Sequence, residues 1–507
     1  MDETPFWHAM LPTLGMAAEF QKARGLFGQC GFDYAKVCGV LGVDHLYLLT
    51  AKQEGEFLSR EGRDGLDALI RLFVTGRGME RAEAVRLLGA ENVECLEALG
   101  LLAATPGIAG GCFSPVMVHP TPSGPVMVCD RSMTPDGTQV PRAAADALYP
   151  ALFANTMDFV ARFPQAPCDR ILEIGTGTGT AAIAWSRRAG EVWATDIADR
   201  AVRFAEFNRR LAGADNVRVV RGDMYEPVEG MTFDRIASHP PFVPARKSAV
   251  IFRDGGEDGE QLARRVLEGL PRFLRPGGLF WGSFMISDRA GESAEQRIRK
   301  WLGECESEFD IGFAMDGRKS PAETISLTLA ERKGPLEEVA YFGELWRDTH
   351  TEFLIHAAII VRRKATTVER PAVTVRVQTG QGFSAHDLER LMDWEVAQQE
   401  PGCLEKLLED KVALVSRCEL RASHQLEDGT PVSEEYTFVV ETPIRSACRV
   451  PPWAARMLVG SDGSRTGHDL FEAVKEGGHI AQDADPREFA RMMAGLIAAG
   501  VIKPGAV

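Results

Sequence analysis

The sequence predicts an α/β protein built around a parallel β-sheet with helices on its faces. The first observation is the stretch from residue 170 to residue 196, which has the pattern of an apolar strand, a glycine-rich turn, a helix and a second strand. The second is that apolar runs and helical patterns keep alternating up to residue 284. Such alternation is typical of strand-helix-strand units, whose strands lie parallel in one sheet.

The glycine-rich turn predicts a binding site for a nucleoside cofactor. Gly175, Gly177 and Gly179 alternate directly after the first strand, so the backbone can turn tightly and approach a ligand where a side chain would collide. The following helix points unpaired N–H groups toward the same ligand. Asp196 ends the next strand about 20 residues on, where a carboxylate can hold both hydroxyl groups of a ribose.

The residues around the turn distinguish between possible cofactors. The glycine spacing is GxGxG, whereas dinucleotide sites use GxGxxG for a pyrophosphate. Glu173 would repel a pyrophosphate but suits a ligand that bears an ammonium group. Asp223 follows a third strand, where it can accept a hydrogen bond from the amino group of an adenine. We also predict cofactor contacts for Thr176, Ile197 and Met224.

The fourth predicted strand, residues 234–238, ends in the motif His-Pro-Pro-Phe at residues 239–242. The motifs along residues 170–284 are, in order, EIGTGTGT, TDIADRAVRFAEFN, GDMYEPV, HPPFVP, RDGGEDGEQLARRVLEG and LRPGGLF. With these motifs the chain resembles the class I S-adenosylmethionine-dependent methyltransferases. Within that class it resembles the branch of the release-factor glutamine methyltransferases and their longer bacterial relatives. The resemblance covers well under half of the chain.

The resemblance implies a Rossmann-like, seven-stranded methyltransferase sheet whose last strand is inserted antiparallel, and it implies S-adenosylmethionine as the cofactor. It also implies that His239, Pro240, Pro241 and Phe242 form the catalytic segment, with His239 next to the cofactor as well. In the family an Asn or Asp precedes the two prolines. Its side chain and the following backbone carbonyl accept hydrogen bonds from the substrate nitrogen.

His239 departs from that pattern and has two functional interpretations. As an acceptor, its unprotonated nitrogen orients a nitrogen nucleophile together with the carbonyl of Pro240. As a base, it removes a proton from a hydroxyl or carboxyl substrate, because imidazole titrates near neutrality. A histidine that only packs at the strand end is the structural alternative.

The other candidate residues also have structural alternatives. Glu173 would then be a salt-bridged carboxylate in the core. Asp196 would be a helix N-cap, since Asp is favoured there. Asp223 would be a turn residue, and Phe242 would be ordinary core instead of an aromatic wall for a planar substrate.

The predicted function is methyl transfer to a nitrogen or oxygen of a small molecule or of a peptide or protein. The alternatives are a nucleic-acid methyltransferase and a protein that binds S-adenosylmethionine without catalysis. No metal is predicted, because the methyl group already sits on a cationic sulfur and the protein mainly supplies alignment. A net charge of −15 and a pI near 5.3 argue against broad contacts with nucleic-acid phosphates.

Composition also predicts the cellular setting. The ten cysteines are scattered without CxxC pairs, which favours reduced thiols and a cytoplasmic location. There is no apolar run of about 18 residues, so no membrane span is expected. The first ten residues lack a basic leader before an apolar run, and we expect no secretory signal there. An oligomeric state stays open.

A length of 507 residues predicts several domains. Residues 1–140 form a helical domain that ends in a winged-helix pattern; it lacks a basic face, which favours substrate shaping or dimerisation over DNA binding. Residues 141–364 form the methyltransferase domain, and residues 365–507 form an α+β region that ends in a small helical or winged module.

Two segments near the predicted site carry further expectations. A linker rich in Pro, Asp and Gly at residues 132–145 leads into a helix over the cofactor mouth. There Tyr149 or Phe153 either faces the substrate or packs. The glycine-rich stretch at residues 253–259 is expected to be a mobile, solvated loop ahead of a helix over residues 260–270.

Overall fold

The computed structural model describes residues 6–60, 62–131, 144–246, 250–330, 336–365, 369–415, 417–427 and 430–504. The chain divides into two compact units. The first consists of Met1–Ile286, Trp301–Gly303 and Pro335–Leu345, and the second consists of Ser287–Lys300, Glu304–Gly334 and Trp346–Val507. Most of the predicted linker, and with it the predicted boundary at residue 140, lies outside the described residues. The predicted boundary at residue 364 stays a prediction.

The N-terminal part of the first unit is helical, as predicted. Its α-helices are Ala17–Cys30, Tyr34–Leu41, Ala51–Leu58, Gly65–Leu69, Arg81–Leu88 and Ala90–Ala98. A small sheet contains Met79–Glu80, Gly111–Phe113 and Ala103–Ala104 in that order, and an antiparallel hairpin joins Val116–Pro120 to Val126–Asp130.

The rest of the first unit is a parallel sheet with helices. Its strands are β1 (Cys168–Ile174), β2 (Ala189–Asp196), β3 (Val217–Arg221), β4 (Phe233–Ser238) and β5 (Leu274–Arg289). Its helices are α1 (Ala154–Ala161), α2 (Thr180–Trp185), α3 (Asp199–Ala212) and α4 (Gln261–Phe273). All neighbouring strands pair in parallel in the order β5-β4-β1-β2-β3. The predicted α/β fold class is confirmed.

The strand order determines where a ligand can bind. The chain moves outward in one direction from β1 to β3 and returns to the other side of β1 at β4. The loops after β1 and β4 therefore diverge and leave a crevice at the carboxyl edge of the sheet. The glycine-rich turn follows β1 and the His-Pro-Pro-Phe motif follows β4, so both predicted motifs lie at this crevice.

The second unit carries the sixth and seventh predicted strands, β6 (Phe309–Lys319) and β7 (Thr351–Arg363). They pair antiparallel, as the resemblance implied. The helices Pro321–Ala330 and Leu336–Asp348 lie between them in sequence. On its other side β6 pairs in parallel with Thr374–Thr379. The sheet continues from there through Ile444–Val450, Thr430–Val440 and Glu419–Glu427, all antiparallel.

The C-terminal end of the second unit is a small α+β module. Its three strands are Asp462–Thr466, Lys411–Leu414 and Ile502–Pro504, in that order across the sheet. The helices of this unit are Ala294–Trp301, Ala385–Ala397, Cys403–Glu409, Pro452–Val459, Gly467–Glu476 and Pro486–Ala498. Across the described ranges of both units, every helix is too short or too polar to cross a membrane.

A buried side chain on α3 connects the N-terminal hairpin to the crevice. The Asn208 amide is fully buried, and its oxygen accepts a hydrogen bond from the Val128 N–H at 2.8 Å. Its nitrogen donates to the carbonyls of Val128 and Thr178, each at 2.8 Å. Val128 belongs to the hairpin and Thr178 to the glycine-rich turn, so one amide fixes the distance between them.

We expect Asn208→Leu to lower the free energy of unfolding of the first unit by roughly 2–4 kcal/mol. Leucine would leave the N–H and carbonyl of Val128 and the carbonyl of Thr178 buried without these partners. Urea denaturation followed by tryptophan fluorescence measures the change. Gln21→Ala, on an exposed helical position, is the control and should stay within about 0.5 kcal/mol. Equal stability of the two variants would contradict the assignment.

Candidate active site

Two adjoining cavities occupy the crevice at the carboxyl edge of β1 and β4. The smaller measures about 250 Å³ and the larger about 540 Å³. Both are lined by Gly175 and Gly177 from the turn after β1, and by His239, Pro240 and Pro241 from the segment after β4. The two sequence motifs therefore meet where the cavities join.

Besides Gly175, Gly177 and His239, the smaller cavity is lined by four further residues that were predicted to contact the cofactor. Asp196 and Ile197 follow β2, and Asp223 and Met224 follow β3. Met224 has a left-handed backbone with φ of 52°, and its carbonyl accepts a hydrogen bond from the Thr195 hydroxyl at 3.1 Å. Such a conformation costs a residue other than glycine about 1–2 kcal/mol and is concentrated at ligand sites.

Asp196 ties the glycine-rich turn to the end of β2. One carboxylate oxygen accepts a hydrogen bond from the Gly177 N–H at 2.9 Å, and the other accepts from the Ala198 N–H at 3.0 Å. Burial raises the pKa of Asp196, and these hydrogen bonds oppose that rise. The N-cap of α3 is Ala198, so Asp196 is not the cap itself. A carboxylate has about four acceptor positions, so both oxygens keep capacity for a ligand.

Asp223 is more exposed than Asp196 and has a cationic neighbour. Its carboxylate accepts a hydrogen bond from the Arg265 guanidinium at 2.7 Å. Arg265 also lines the smaller cavity. The ion pair occupies one oxygen of Asp223, and within the described part of the chain the second oxygen accepts no hydrogen bond, so it can accept one from an exocyclic amino group.

Glu173 lies at the end of β1 and lines the larger cavity. Its side chain is 4% exposed, and one oxygen accepts hydrogen bonds from the Thr176 hydroxyl at 2.6 Å and the Ala182 N–H at 2.9 Å. Burial raises the pKa of Glu173 to about 7. Within the described ranges it forms no ion pair, so the salt-bridged alternative is wrong. The site instead holds a buried carboxylate that a cationic ligand would stabilise.

The glycines of the turn serve two different purposes. Gly175 and Gly177 have positive φ of 75° and 55° and line both cavities, where an added Cβ would meet no protein atom. Gly179 has a φ of 80° and lines neither cavity. An added Cβ there would lie 3.2 Å from Ala205, so Gly179 allows α2 to pack closely against α3.

His239 is half-buried between two aromatic rings. The ring centroids of Phe159 and Phe242 lie 5.4 Å and 6.3 Å from its own. Phe242 is stacked with an interplanar angle of 22° and lines the larger cavity. The imidazole therefore has a restricted plane at the junction of the cavities, which suits a group that must be oriented toward a substrate.

The glycine-rich loop before α4 is not the mobile, solvated loop that the sequence suggests. The Gly255 N–H donates to the Val243 carbonyl at 2.8 Å, and the Val243 N–H donates to the Arg253 carbonyl at 3.0 Å. An added Cβ on Gly255 would lie 2.7 Å from the Pro241 carbonyl oxygen, and one on Gly259 would lie 2.6 Å from the Phe242 carbonyl oxygen. The loop is held by close backbone contact with the catalytic segment, and only glycine permits that contact.

Three aromatic side chains surround the mouth of the larger cavity. Tyr149 and Phe153, which the sequence raised as substrate-facing or packing residues, both line it and are 40% and 48% exposed. The sequence analysis missed the third, Phe252, which lines both cavities. Phe252 lies outside every helix and strand of the fold, so periodicity carried no information about it.

The described residues contain no group of three or more His, Cys, Asp or Glu side chains that could hold a metal ion. The carboxylates of the crevice are instead distributed over the ends of three strands, which places one acceptor at each part of an elongated organic ligand. The arrangement can bind a nucleoside with a cationic substituent and present it to a second molecule in the larger cavity.

Comparison with known proteins agrees with this geometry. A family model for the methyltransferase small domain matches residues 154–308. The release factor glutamine methyltransferase of Gloeobacter violaceus is 30% identical over 154 residues, which are 28% of this chain and 51% of that protein. The corresponding protein of Moorella thermoacetica is 34% identical over 26% of this chain and 52% of its own length.

A third relative is matched over more of its length. It comes from Methanocaldococcus jannaschii, carries the provisional name protein N5-glutamine methyltransferase, and is 34% identical over 26% of this chain and 69% of its own. The chain thus spans about half the length of the first two relatives and over two thirds of the third. The solved ribosomal protein L11 methylase of Lactobacillus delbrueckii is 19% identical over 41% of this chain and 75% of that chain, with a TM-score of 0.24, too low to define a shared fold.

The raised pKa of Glu173 predicts a pH-dependent stability. Its folded-state pKa of about 7 exceeds its ordinary value of 4.5, so the unliganded folded protein binds this proton more tightly than the unfolded chain does. The stabilisation is complete below pH 4.5 and is lost as the pH rises through 7. We expect the free energy of unfolding of the wild type to fall by about 3 kcal/mol more than that of Glu173→Gln over this pH range. Urea denaturation of both proteins between pH 4.5 and 8 measures it, and parallel pH profiles would contradict the assignment.

Proposed function

The chain belongs to the methyltransferase small-domain family of protein N5-glutamine methyltransferases, and we propose that it methylates a side-chain amide nitrogen of a protein, with S-adenosylmethionine as methyl donor. The observation that carries the proposal is the junction of the two cavities at His239, Pro240 and Pro241. One cavity has the acceptors of a nucleoside site, the other opens to a second molecule, and the motif lies where they meet.

The residues of the crevice fit the cofactor part by part. We infer that the Asp196 carboxylate binds the ribose hydroxyls and that Asp223 accepts a hydrogen bond from the adenine amino group, because both line the smaller cavity. Glu173 supplies a buried carboxylate for the ammonium group of the methionine part. When bound, S-adenosylmethionine supplies an electrophilic methyl group on a cationic sulfur. Binding of the ammonium group would keep Glu173 ionised and offset the cost of its burial.

His239 is proposed to orient the nucleophile. An amide nitrogen carries two N–H bonds, and its lone pair is directed at the methyl carbon only when both have acceptors. The unprotonated nitrogen of His239 provides one acceptor and the carbonyl of Pro240 provides the other. Methyl transfer would leave a surplus proton on the amide nitrogen, and the His239 imidazole or water would accept it. The aromatic contacts with Phe159 and Phe242 support this role by restricting the ring.

The N-terminal region and the cysteines bear on the substrate and on the compartment of the reaction. The N-terminal region with its winged-helix pattern is proposed to shape the protein substrate, since Asn208 connects its hairpin to the glycine-rich turn. The relatives are named for release-factor substrates, and the scattered cysteines favour a reducing compartment, so we assign the reaction to the cytoplasm.

We expect the purified chain to bind S-adenosylmethionine and its demethylated product in isothermal titration, and Asp196→Ala to weaken both by roughly 10- to 100-fold. Hydrogen bonds to a charged group contribute about 1.5–3 kcal/mol, which corresponds to that range. Asp199→Ala is the matched control, because Asp199 lies three residues further, is 78% exposed and lines neither cavity. A wild-type chain without affinity for either nucleoside would overturn the proposal.

His239→Asn distinguishes an acceptor from a base. If His239 orients the nitrogen, Asn restores the family residue, and transfer from methyl-labelled cofactor to a protein extract should survive within about tenfold with a flat rate near neutral pH. His239→Leu removes the acceptor and should lower the rate at saturating cofactor roughly 100-fold or more. Mass spectrometry of tryptic peptides identifies the methylated residue. Loss of transfer in His239→Asn would favour the base instead.

A further inference from the structure

The mouth of the larger cavity carries a cluster of exposed aromatic rings, defined here as the aromatic mouth: Tyr149, Phe153 and Phe252. Their exposed fractions are 40%, 48% and 38%. Large rings that are exposed together beside a concave site indicate a contact surface for a ligand or partner. Monomeric proteins rarely expose contiguous apolar patches that have no binding function. All three line the same cavity as His239, so whatever covers them is continuous with the reacting group.

The rings form a partly built aromatic pocket. The centroids of Tyr149 and Phe252 are 4.7 Å apart with the planes at 64°, an edge-to-face contact. Those of Tyr149 and Phe153 are 6.2 Å apart at 58°. The Tyr149 ring is therefore inclined to both of the others, and all three rings keep exposed surface. A planar or branched apolar side chain can complete such a cluster through the same offset and edge contacts.

The segment that carries Phe252 is held in place before any substrate arrives. The Ile251 N–H donates to the Ala145 carbonyl at 3.0 Å, which joins this turn to the segment that carries Tyr149. The Val250 N–H donates to the buried Asp254 carboxylate at 2.9 Å. A surface that is already ordered loses little conformational entropy on binding, so its contacts contribute fully to affinity.

The charges that line the mouth indicate which kind of side chain can bind there. Among the described residues that line the larger cavity, Arg253 is the one with a charged side chain apart from Glu173 and His239 in its interior. The Arg253 guanidinium is already paired with Glu338 and lies 3.4 Å from the Asp254 carboxylate. The described lining of the mouth is therefore close to neutral, whereas the whole chain has a net charge of −15. A charged neighbour would lose hydration there without gaining a free counter-ion.

We propose that the aromatic mouth binds an aromatic or branched aliphatic side chain that flanks the methylated residue of an extended protein segment. This inference rests on the proposed function and adds the sequence context that the site selects. The larger cavity, at about 540 Å³, lies within the range of about 300–1,000 Å³ typical of sites that enclose a whole ligand. It extends from Glu173 and His239 to the three rings, so a side chain beside the reacting amide would lie within the same cavity.

The test uses the full chain and nine-residue peptides with a central glutamine whose neighbours are Phe, Leu, Gly, Asp or Lys. Methyl incorporation from labelled S-adenosylmethionine gives kcat and KM for each peptide. We expect Phe or Leu neighbours to raise kcat/KM roughly 2- to 10-fold over Gly, through KM, since one such contact contributes about 0.5–1.5 kcal/mol. The kcat/KM of peptides with Asp or Lys neighbours should be lower than that of the Gly peptide.

Tyr149→Ala and Phe153→Ala, which alter the larger cavity but not the smaller one, should lower kcat/KM for the Phe and Leu peptides to the value of the Gly peptide through KM. Tyr47→Ala is the matched control, because Tyr47 is 42% exposed and lines neither cavity. Titration with S-adenosylmethionine, in which Tyr149→Ala should match the wild type, excludes a folding defect.

Each outcome bears on the inference. A wild-type enzyme without neighbour preference, or variants that keep the preference, would overturn it and leave the proposed function standing. Methylation of a protein extract but of no peptide would also overturn it, since the neighbour would then not be the recognised element. Absence of cofactor affinity would overturn the proposed function itself, and titration detects that before any peptide is used.

Discussion

The site depends first on the Asn208 amide, which is buried and shared by three parts of the first unit. It belongs to α3, it satisfies both backbone groups of Val128 in the N-terminal hairpin, and it holds the Thr178 carbonyl of the glycine-rich turn. Next to it the Asp130 carboxylate of the same hairpin accepts a 2.8 Å hydrogen bond from the Arg200 guanidinium of α3. Because unsatisfied buried groups are expensive, the hairpin and the cofactor turn cannot move independently. The N-terminal region is thus part of the support of the catalytic crevice.

The second constraint is close backbone contact between the catalytic segment and the glycine-rich loop before α4. Gly255 and Gly259 face the carbonyl groups of Pro241 and Phe242 at distances that no other residue allows. The two prolines restrict φ on one side of this contact, and the glycines permit the approach on the other. These restraints act on the backbone directly after Pro240, whose carbonyl the proposed mechanism needs as an acceptor.

Electrostatics in the crevice point to a cationic ligand. Burial raises the pKa of both Glu173 and Asp196, although each carboxylate accepts two hydrogen bonds. The unliganded protein therefore holds two carboxylates whose ionisation is costly. A ligand with a positive charge lowers that cost, so the same groups that reduce the stability of the free protein favour the bound state. The two carboxylates thus lower the stability of the unliganded protein and serve ligand binding.

The sequence by itself determined the α/β fold, the glycine-rich turn, the acidic residues at three strand ends and the motif after β4. These features are local: each depends on the pattern of a short segment and on the rule that parallel strands end at one edge of a sheet. Only the tertiary structure decided that the loop at residues 253–259 is braced, that Gly179 serves packing and that Phe252 reaches the cavity mouth. Those facts depend on contacts between segments far apart in the chain, whose geometry no local pattern contains.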